Sequence, residues 1–426
     1  MAIDASTLSR RSKPAALGPA NGTQCESLGR ILIIAYSHYI FDARVKRHAE
    51  ALAQAGYEVD VICLADPQET QKWVNIIPVS APRYRGQNRI EYLRQYARFF
   101  LQASYLAAKH NHKRRYDVVI VCSIPDAAIV SGVIPKLYGS RLILDMHDTM
   151  PELYLEKFPG RSGTVVAAAL KLEERVSAWT ADLVFAVHTP HAERLQAAGI
   201  PREKIVVIVN SPDPRLFPLP RSQDDEDADD DSFTIVTHGT INRRLGLDTA
   251  VEAIGLIRDR IPKLKFRIIG PGEHLETVRH HTIQRSLEDI VEFEDGVPLE
   301  SLARTLQRVS VGLVPNHATA ATQLMLPVKL LEYVNLGIPV VASNLRTIRE
   351  YFPENAVLYF EPSNPRSLAD GLLDLYSNPT ERKNLALQAL ESLKGISWEV
   401  QRQKLCEAVT RLMTGRLEAV EDPAAI

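Results

Sequence analysis

Twice along this chain, short apolar runs alternate with amphipathic helical stretches, and between the two series stands an acidic run that cannot bury apolar surface. The first series begins at Arg30: RILIIAY reads as a strand, FDARVKRHAEALAQAGY as a helix and EVDVICL as a strand again. The strands YDVVIVCS, RLILDMHD, WTADLVFAV and EKIVVIVNSPD complete it. After QDDEDADDDS, Gln223 to Ser232, the pattern restarts with FTIVTHGT, a helix from Leu247 to Arg260, then FRIIGPGE, IVEFEDG, VGLVPN and PVVAS. Alternation of this kind predicts an α/β fold with parallel sheets, helices on both faces and ligand loops at the C-terminal ends of the strands. The acidic run self-repels and marks a domain boundary or an insertion close to it. A domain takes about 100–200 residues, so the 426 residues are read as two doubly wound domains. Residues 1–28 are expected to be disordered, 29–215 to form the first domain, 221–232 an acidic linker and 233–397 the second domain. A C-terminal helix over about 398–415 is free to pack back on the first.

Composition narrows the class of function. Hydrophobic residues make up 45% and charged residues 24%, and the net charge of -2 gives no global attraction to nucleic acid. Cys25, Cys63, Cys122 and Cys406 are scattered without metal-ligand spacing, and two of them fall in apolar runs, which fits a reducing cytosol without structural disulfides. No run approaches the roughly 18 apolar residues of a membrane span, and the N-terminus lacks the apolar core of a signal peptide. A cytoplasmic protein, soluble or peripheral at a membrane, is expected. Residues 82–115 are locally basic and helical, with Leu93, Ala97, Phe100 and Ala107 as one stripe and Arg94 and Arg98 as another. That pattern suits an anionic membrane surface, and equally an ordinary amphipathic helix with a solvated basic face.

Candidate site residues lie where strands end. LPVKLLEYVNLGIPVVAS, Leu326 to Ser343, reads as a helix entered through Pro327 at its first position and left through Gly337 and Pro339. Lys329 and Glu332 share one face of it. A diphosphate could sit at the helix N-terminus beside Lys329, with Glu332 accepting from ribose hydroxyls; alternatively, the two are an ion pair on a solvated helix. In the first loop, His38, Asp42 and Arg44 are polar; Asp42 suits a helix cap, and Arg44 is left open. His147 and Asp148 follow the strand ending at Asp145, where an imidazole could orient a hydroxyl or stabilise developing charge, although Asp148 or Thr149 could cap the PELY helix. Gly239, Arg243 and Arg244 follow FTIVTH, and Gly270 opens a GPGE loop that lets backbone approach a ligand or is a plain tight turn.

In order along the chain, DARVKRHAEALAQAGYEVDVICL, LDMHDTMPEL, KIVVIVNSPDPRLF, HGTINRRLGLDTAVEAI, FRIIGPGE, EDGVPLESLARTLQRVSVGLVP and LPVKLLEYVNLGIPVVAS resemble glycosyltransferase family 4. The resemblance runs from Arg30 to about Leu412. It implies the GT-B fold, two Rossmann-like domains facing across a cleft, and retaining transfer of a sugar from a nucleotide diphosphate sugar. The donor would bind the C-terminal domain and the acceptor the N-terminal one. Glu332 would then hold the ribose, the Gly239 and Gly270 loops flank the donor, Gly296 and Val297 lie near the base, and His147 lie near the transferring sugar. Three departures stand out. Thr240 and Leu245 occupy the family's arginine and lysine positions, leaving Arg243, Arg244 and Lys329 as the available cations; Leu324 replaces the first of its paired glutamates, with Thr322 or Gln323 as substitute sugar contacts; and YSHYIFDA has no glycine pair.

The expected function is a retaining hexosyltransferase acting on a polysaccharide or lipid-linked acceptor in surface glycan synthesis. His147 and Asp148 stand at the reacting sugar, His38 and Arg44 on the acceptor side, and no cofactor or metal is expected. A nucleotide-sugar epimerase of the same fold and a non-catalytic nucleotide-sugar-binding subunit are the alternatives.

Overall fold

The computed structural model describes residues 27–64, 73–80, 89–123, 125–158, 160–218, 232–306 and 308–415. The expected disorder over 1–28 and the linker over 221–232 fall almost wholly outside these residues. Seven parallel strands form the first sheet: β1 (Arg30–Ile34), β2 (Glu58–Cys63), β3 (Val74–Pro78), β4 (Val118–Cys122), β5 (Arg141–Asp145), β6 (Leu183–Ala186) and β7 (Ile205–Val207), ordered 3-2-1-4-5-6-7. The second has six: β8 (Phe233–His238), β9 (Leu264–Ile269), β10 (Val291–Glu294), β11 (Val311–Val314), β12 (Val340–Ser343) and β13 (Leu358–Phe360), ordered 10-9-8-11-12-13. The strand order reverses between β1 and β4 and again between β8 and β11, the switch points at which open α/β sheets place ligands.

Central strands are apolar on both faces because helices cover both. Ile31, Leu32, Ile33 and Ile34 of β1 are at most 1% exposed, and each such burial stabilises by about 1.5–3 kcal/mol. The edge strands β3 and β13 were not among the expected elements; VNIIP and LYF are short and only partly buried. The helix Trp398–Thr414 packs back on the first domain, with Leu405, Ala408, Val409 and Leu412 joining the core behind β1. Two buried bonds tie this return: Gln401 Oε1 accepts from Val209 N at 2.9 Å, and Ser211 Oγ donates to the Ile396 carbonyl.

Two helices differ from expectation in detail. The helix after Pro327 runs Val328–Asn335, so the proline stands at the N-cap and not at the first helical position. Its end is as expected: Gly337 adopts φ 70°, and Ile338 N bonds the Tyr333 carbonyl at 2.9 Å, closing the last turn. In the basic helix Arg89–Lys113 the buried inward residues are Phe99, Ala103 and Ala107; of the expected stripe, Ala107 is in this core and Phe100 packs partly buried against it, but Ala97 is exposed. The Leu93 side chain lies outside the description. Cys63 and Cys122 are buried and Cys406 is half-buried, and none of the three is in a disulfide.

Candidate functional site

A cavity of about 410 Å³ lies between the domains, at the C-terminal ends of both sheets. Arg44, His147, Asp148, His188 and Asn210 line it from the first domain, and the stretch Leu324–Val328 with Leu331 lines it from the second. Asp42 caps the helix Ala43–Gln54 as expected, its Oδ1 accepting from Val45 N at 3.1 Å, which fixes Arg44 in the first turn.

Asp145 is the hub of the first domain's side. As the last residue of β5, paired with Cys122 of β4 and Phe185 of β6, it is fully buried. The buried Arg44 grips it with Nη2 at 2.7 Å from Oδ1 and Nε at 3.2 Å from both oxygens, and Arg44 Nη1 donates to the Ile208 carbonyl. His147 Nε2 stands 3.2 Å from Asp145 Oδ2, and His48 Nδ1 stands 3.3 Å from the same oxygen. Burial alone would push the Asp145 carboxyl up, but Arg44 and His147 hold it well below the usual range. Burial likewise opposes charge on His147, yet Asp145 outweighs it and raises the imidazole above its ordinary value. His48 goes the other way, lowered to about 4 by burial and by Arg44. Trp398 stacks on His48, with ring planes 8° apart, and lies under Arg47 at 5.5 Å, so the returning C-terminal segment packs behind the hub.

Arg44 lines the cavity with its guanidinium bonded to Asp145 and to the Ile208 carbonyl. His38 lies outside the cavity lining, edge-on to Phe41 at 6.2 Å. His147 and Asp148 do reach the cavity. Asp148 is raised by burial, against the pull of His147 and of Arg244 across the cleft. Thr149 holds the N-cap position of the helix Met150–Lys157, but its side chain makes no capping bond.

On the second domain's side, Glu332 is buried, and its partner is His238, not Lys329. His238 Nε2 lies 2.7 Å from Glu332 Oε2, and His238 Nδ1 lies 2.8 Å from the Tyr333 hydroxyl. This overturns the solvated ion pair: the shared face of Lys329 and Glu332 turns onto the end of β8. Lys329 Nζ reaches Thr237 Oγ1 at 3.2 Å, and burial pulls its ammonium down to about 8 against the opposing charge of Glu332. Gly239 follows His238 at φ 103°, with open space where a Cβ would point; Gly270, at φ 129°, would drive a Cβ into the Gly239 carbonyl. The glycine at 270 thus answers to a neighbouring loop, whereas Gly239 leaves room beside the cleft.

Arg243 is exposed. Arg244 is half-buried, with Nη1 4.0 Å from Glu156 of the first domain, and its Nε finds no hydrogen-bond partner among the described residues. Thr322 and Gln323 are engaged locally: Thr322 Oγ1 donates to the His317 carbonyl at 2.5 Å, and Gln323 Oε1 accepts from Arg346 N at 2.7 Å. Val297 packs against a hydrophobic cluster of the second domain and lies outside the cavity lining.

Sequence reasoning passed over His188 and His238. His188 Nε2 bonds the Leu324 carbonyl across the cleft at 2.9 Å, and burial lowers it to about 4. Both histidines follow or end a strand, LVFAVH and FTIVTH, the same signal that singled out His147. Glu156, which also accepts from Thr319 Oγ1 at 2.7 Å, sits in the last turn of the helix Met150–Lys157 without such a signal.

Residues 42–211 match the family described as Glycosyl transferase 4-like domain, and residues 220–391 match Glycosyl transferases group 1. A putative colanic acid biosynthesis glycosyltransferase, WcaL, of Escherichia coli K12 is 30% identical over 194 residues; the match covers 45% of this chain and 47% of that protein, so this chain spans about half its length. Among solved structures, sucrose-phosphate synthase from Thermosynechococcus elongatus superposes with TM-score 0.71 at 18% identity, over 91% of this chain and 100% of that one. Anabaena HepE, solved in complex with UDP-glucose, superposes with TM-score 0.66 at 15% identity, over 90% of this chain and 99% of that one.

Proposed function

Because this chain belongs to the glycosyltransferases of family 4, with two Rossmann-like domains in the GT-B arrangement, we propose that it moves a sugar from a nucleotide diphosphate sugar to a glycan or lipid-linked acceptor in surface polysaccharide synthesis. The observation that carries this reading is the pairing, across one cavity, of a buried Arg44–Asp145–His147 unit with the start of the Lys329 helix. Lys329, Arg244 and the helix N–H groups would stabilise the leaving diphosphate, which is electrostatic catalysis without a metal. Glu332, fixed by His238, would accept from the ribose with its remaining carboxylate capacity. His147 would face the reacting sugar, its tautomer and ring orientation set by Asp145, and Asp148 would stand beside it.

Transfer with retention is the stereochemistry we assign. The leaving phosphate takes the acceptor's proton in that chemistry, so no enzymic nucleophile is required. The UDP-glucose of HepE and the colanic acid named for WcaL support a nucleotide-sugar donor and a polysaccharide product. Incubation with a panel of nucleotide sugars, following release of the nucleotide diphosphate with and without EDTA, tests the reading. Release from one donor, unchanged by EDTA, is expected. Binding of a nucleotide sugar without release or isomerisation, with candidate acceptors supplied, would instead make the protein a binding subunit.

A further inference from the structure

One helix of the first domain is packed the wrong way out for a protein surrounded only by water. The helix Arg161–Thr180 buries Gly163, Ala167, Glu174, Ser177 and Ala178, which are small or polar, while Val165, Leu172, Val176 and Trp179 are 70%, 65%, 57% and 48% exposed. With Ala169, also exposed, they are spaced by four and three residues, which makes a single stripe along the helix.

The stripe does not stand alone. This helix packs against the segment Asp126–Leu137, which in turn packs against the helix Arg89–Lys113. All three lay inner side chains on the same core, through Ala178, Ile129 and Phe99. The outer sides of the other two are apolar as well: Leu137 is 79% exposed and Tyr138, just after it, 71%; Leu101 and Tyr105 are 73% and 64%. Exposed large apolar side chains over three adjacent segments, on one of them above buried small residues, mark a face that something covers.

Charge selects what covers it. Among the described residues of these segments no acidic side chain is exposed: Glu91 and Glu173 are half-buried, and Asp126 and Glu174 are buried. The exposed charges are Arg94, Arg98, Lys109 and Lys113 on one helix and Arg161, Lys171 and Arg175 on the other. A second copy of the chain docked by the same face would set these cations against one another. We propose that this three-segment face rests on an anionic lipid bilayer, with the Val165–Trp179 stripe, Leu101, Tyr105 and Leu137 entering the headgroup boundary and the flanking arginines and lysines meeting lipid phosphates. The anchor is thus centred on a helix outside the basic segment 82–115, with the Arg94–Arg98 stripe on the adjoining helix.

Cosedimentation with vesicles tests it and requires no glycosyl transfer, so its failure is separable from failure of the donor reading. The wild-type protein should pellet with an equal mixture of phosphatidylcholine and phosphatidylglycerol, and not with phosphatidylcholine alone, and high salt should release it. Replacing Leu172, Val176 and Trp179 together by Ser should lower the bound fraction about tenfold or more, with melting temperature and nucleotide diphosphate affinity unchanged. If that variant is poorly folded, L101S with Y105S on the neighbouring helix carries the same expectation. Wild-type protein that stays in the supernatant with anionic vesicles at low salt overturns the proposal. So does light scattering that shows a wild-type dimer dissociated by the triple substitution, which would identify a second copy as what covers the face.

Discussion

On the first domain's side of the cleft, Asp145 is buried with Arg44 against both of its oxygens and two imidazoles beside it; on the second domain's side, Lys329 has a single hydroxyl 3.2 Å away and Arg244 a carboxylate no nearer than 4.0 Å. A buried charge held by opposite charge and hydrogen bonds is rigid and already satisfied, whereas cations left short of partners retain donors for an anion. Under the proposed function, one side would orient the reacting group and the other would capture the leaving group. Substitutions that unbalance either side separate those roles.

The largest effect should come from Asp145→Ala. It leaves the Arg44 guanidinium buried without its partner, and breaking one side of a buried pair costs about 3–5 kcal/mol. A melting temperature lowered by several degrees or more, with turnover lost alongside, is the expected outcome. A variant as stable as wild type would mean that the hub contributes nothing to the fold and that the contrast between the two sides is wrong. The carboxyl is held low in the folded protein, so its contribution is present above the ordinary carboxylate range and is lost as the pH falls through and below it.

His147→Ala should spare the fold and strike the rate. The side chain is half-buried, and its contact with Asp145 is one of several that carboxylate makes. Loss of one well-placed polar contact to a transition state costs roughly 10²–10³ in turnover, while nucleotide diphosphate affinity, which depends on the opposite domain, should change little. Melting temperature, affinity and turnover measured on one preparation separate these. Near wild-type turnover would remove His147 from the site and leave Asp148 as the better candidate.

Much of this architecture was legible, and the limits have physical causes. The alternation of apolar runs with helical stretches depends on a covered parallel sheet, so the central strands and their loops could be read directly. Strand ends at Asp145 and His238 bring polar residues to the cleft for the same reason. What could not be read were pairings between distant residues: Arg44 with Asp145, 101 positions apart, and His238 with Glu332, 94 apart. Local spacing offered Lys329 as the partner of Glu332 because i, i+3 is all that a helix pattern reveals. The inverted helix Arg161–Thr180 was missed because an amphipathic stripe does not say which side faces the core.

Lys329→Ala should weaken nucleotide diphosphate binding by about 1.5–3 kcal/mol, the usual size of a charge-assisted contact, with melting temperature unchanged or raised because the ammonium is half-buried at a cost. Calorimetry reads the affinity. The pH dependence sharpens it: burial has brought the ammonium down to about 8, so affinity should be full below that pH and fall by up to about tenfold per unit above it as the empty site loses its proton. Lys329→Arg should flatten that fall, since a guanidinium stays charged. A wild-type profile flat from neutral pH to pH 9.5 or so would mean that Lys329 does not meet the diphosphate.

The smallest effect should be that of Arg243, and it matters because the sequence offers Arg243 and Arg244 as equivalent cations. Arg243 is exposed, so its charge is screened by water and salt, and Arg243→Ala should change nucleotide diphosphate affinity by less than about fivefold. Arg244 is half-buried, with Nε lacking a hydrogen-bond partner among the described residues and Glu156 at 4.0 Å, so an anion entering the cleft meets a partly desolvated guanidinium with donors to spare. Arg244→Ala should cost about tenfold. Glu156→Gln discriminates further: if Glu156 competes with the diphosphate for Arg244, removing its charge should tighten binding slightly in the wild-type background and do nothing once Arg244 is alanine. Equal losses for the two arginines, or a Glu156→Gln effect that survives without Arg244, would show that the electrostatics of the loop as a whole, and not the partly buried guanidinium, attract the donor.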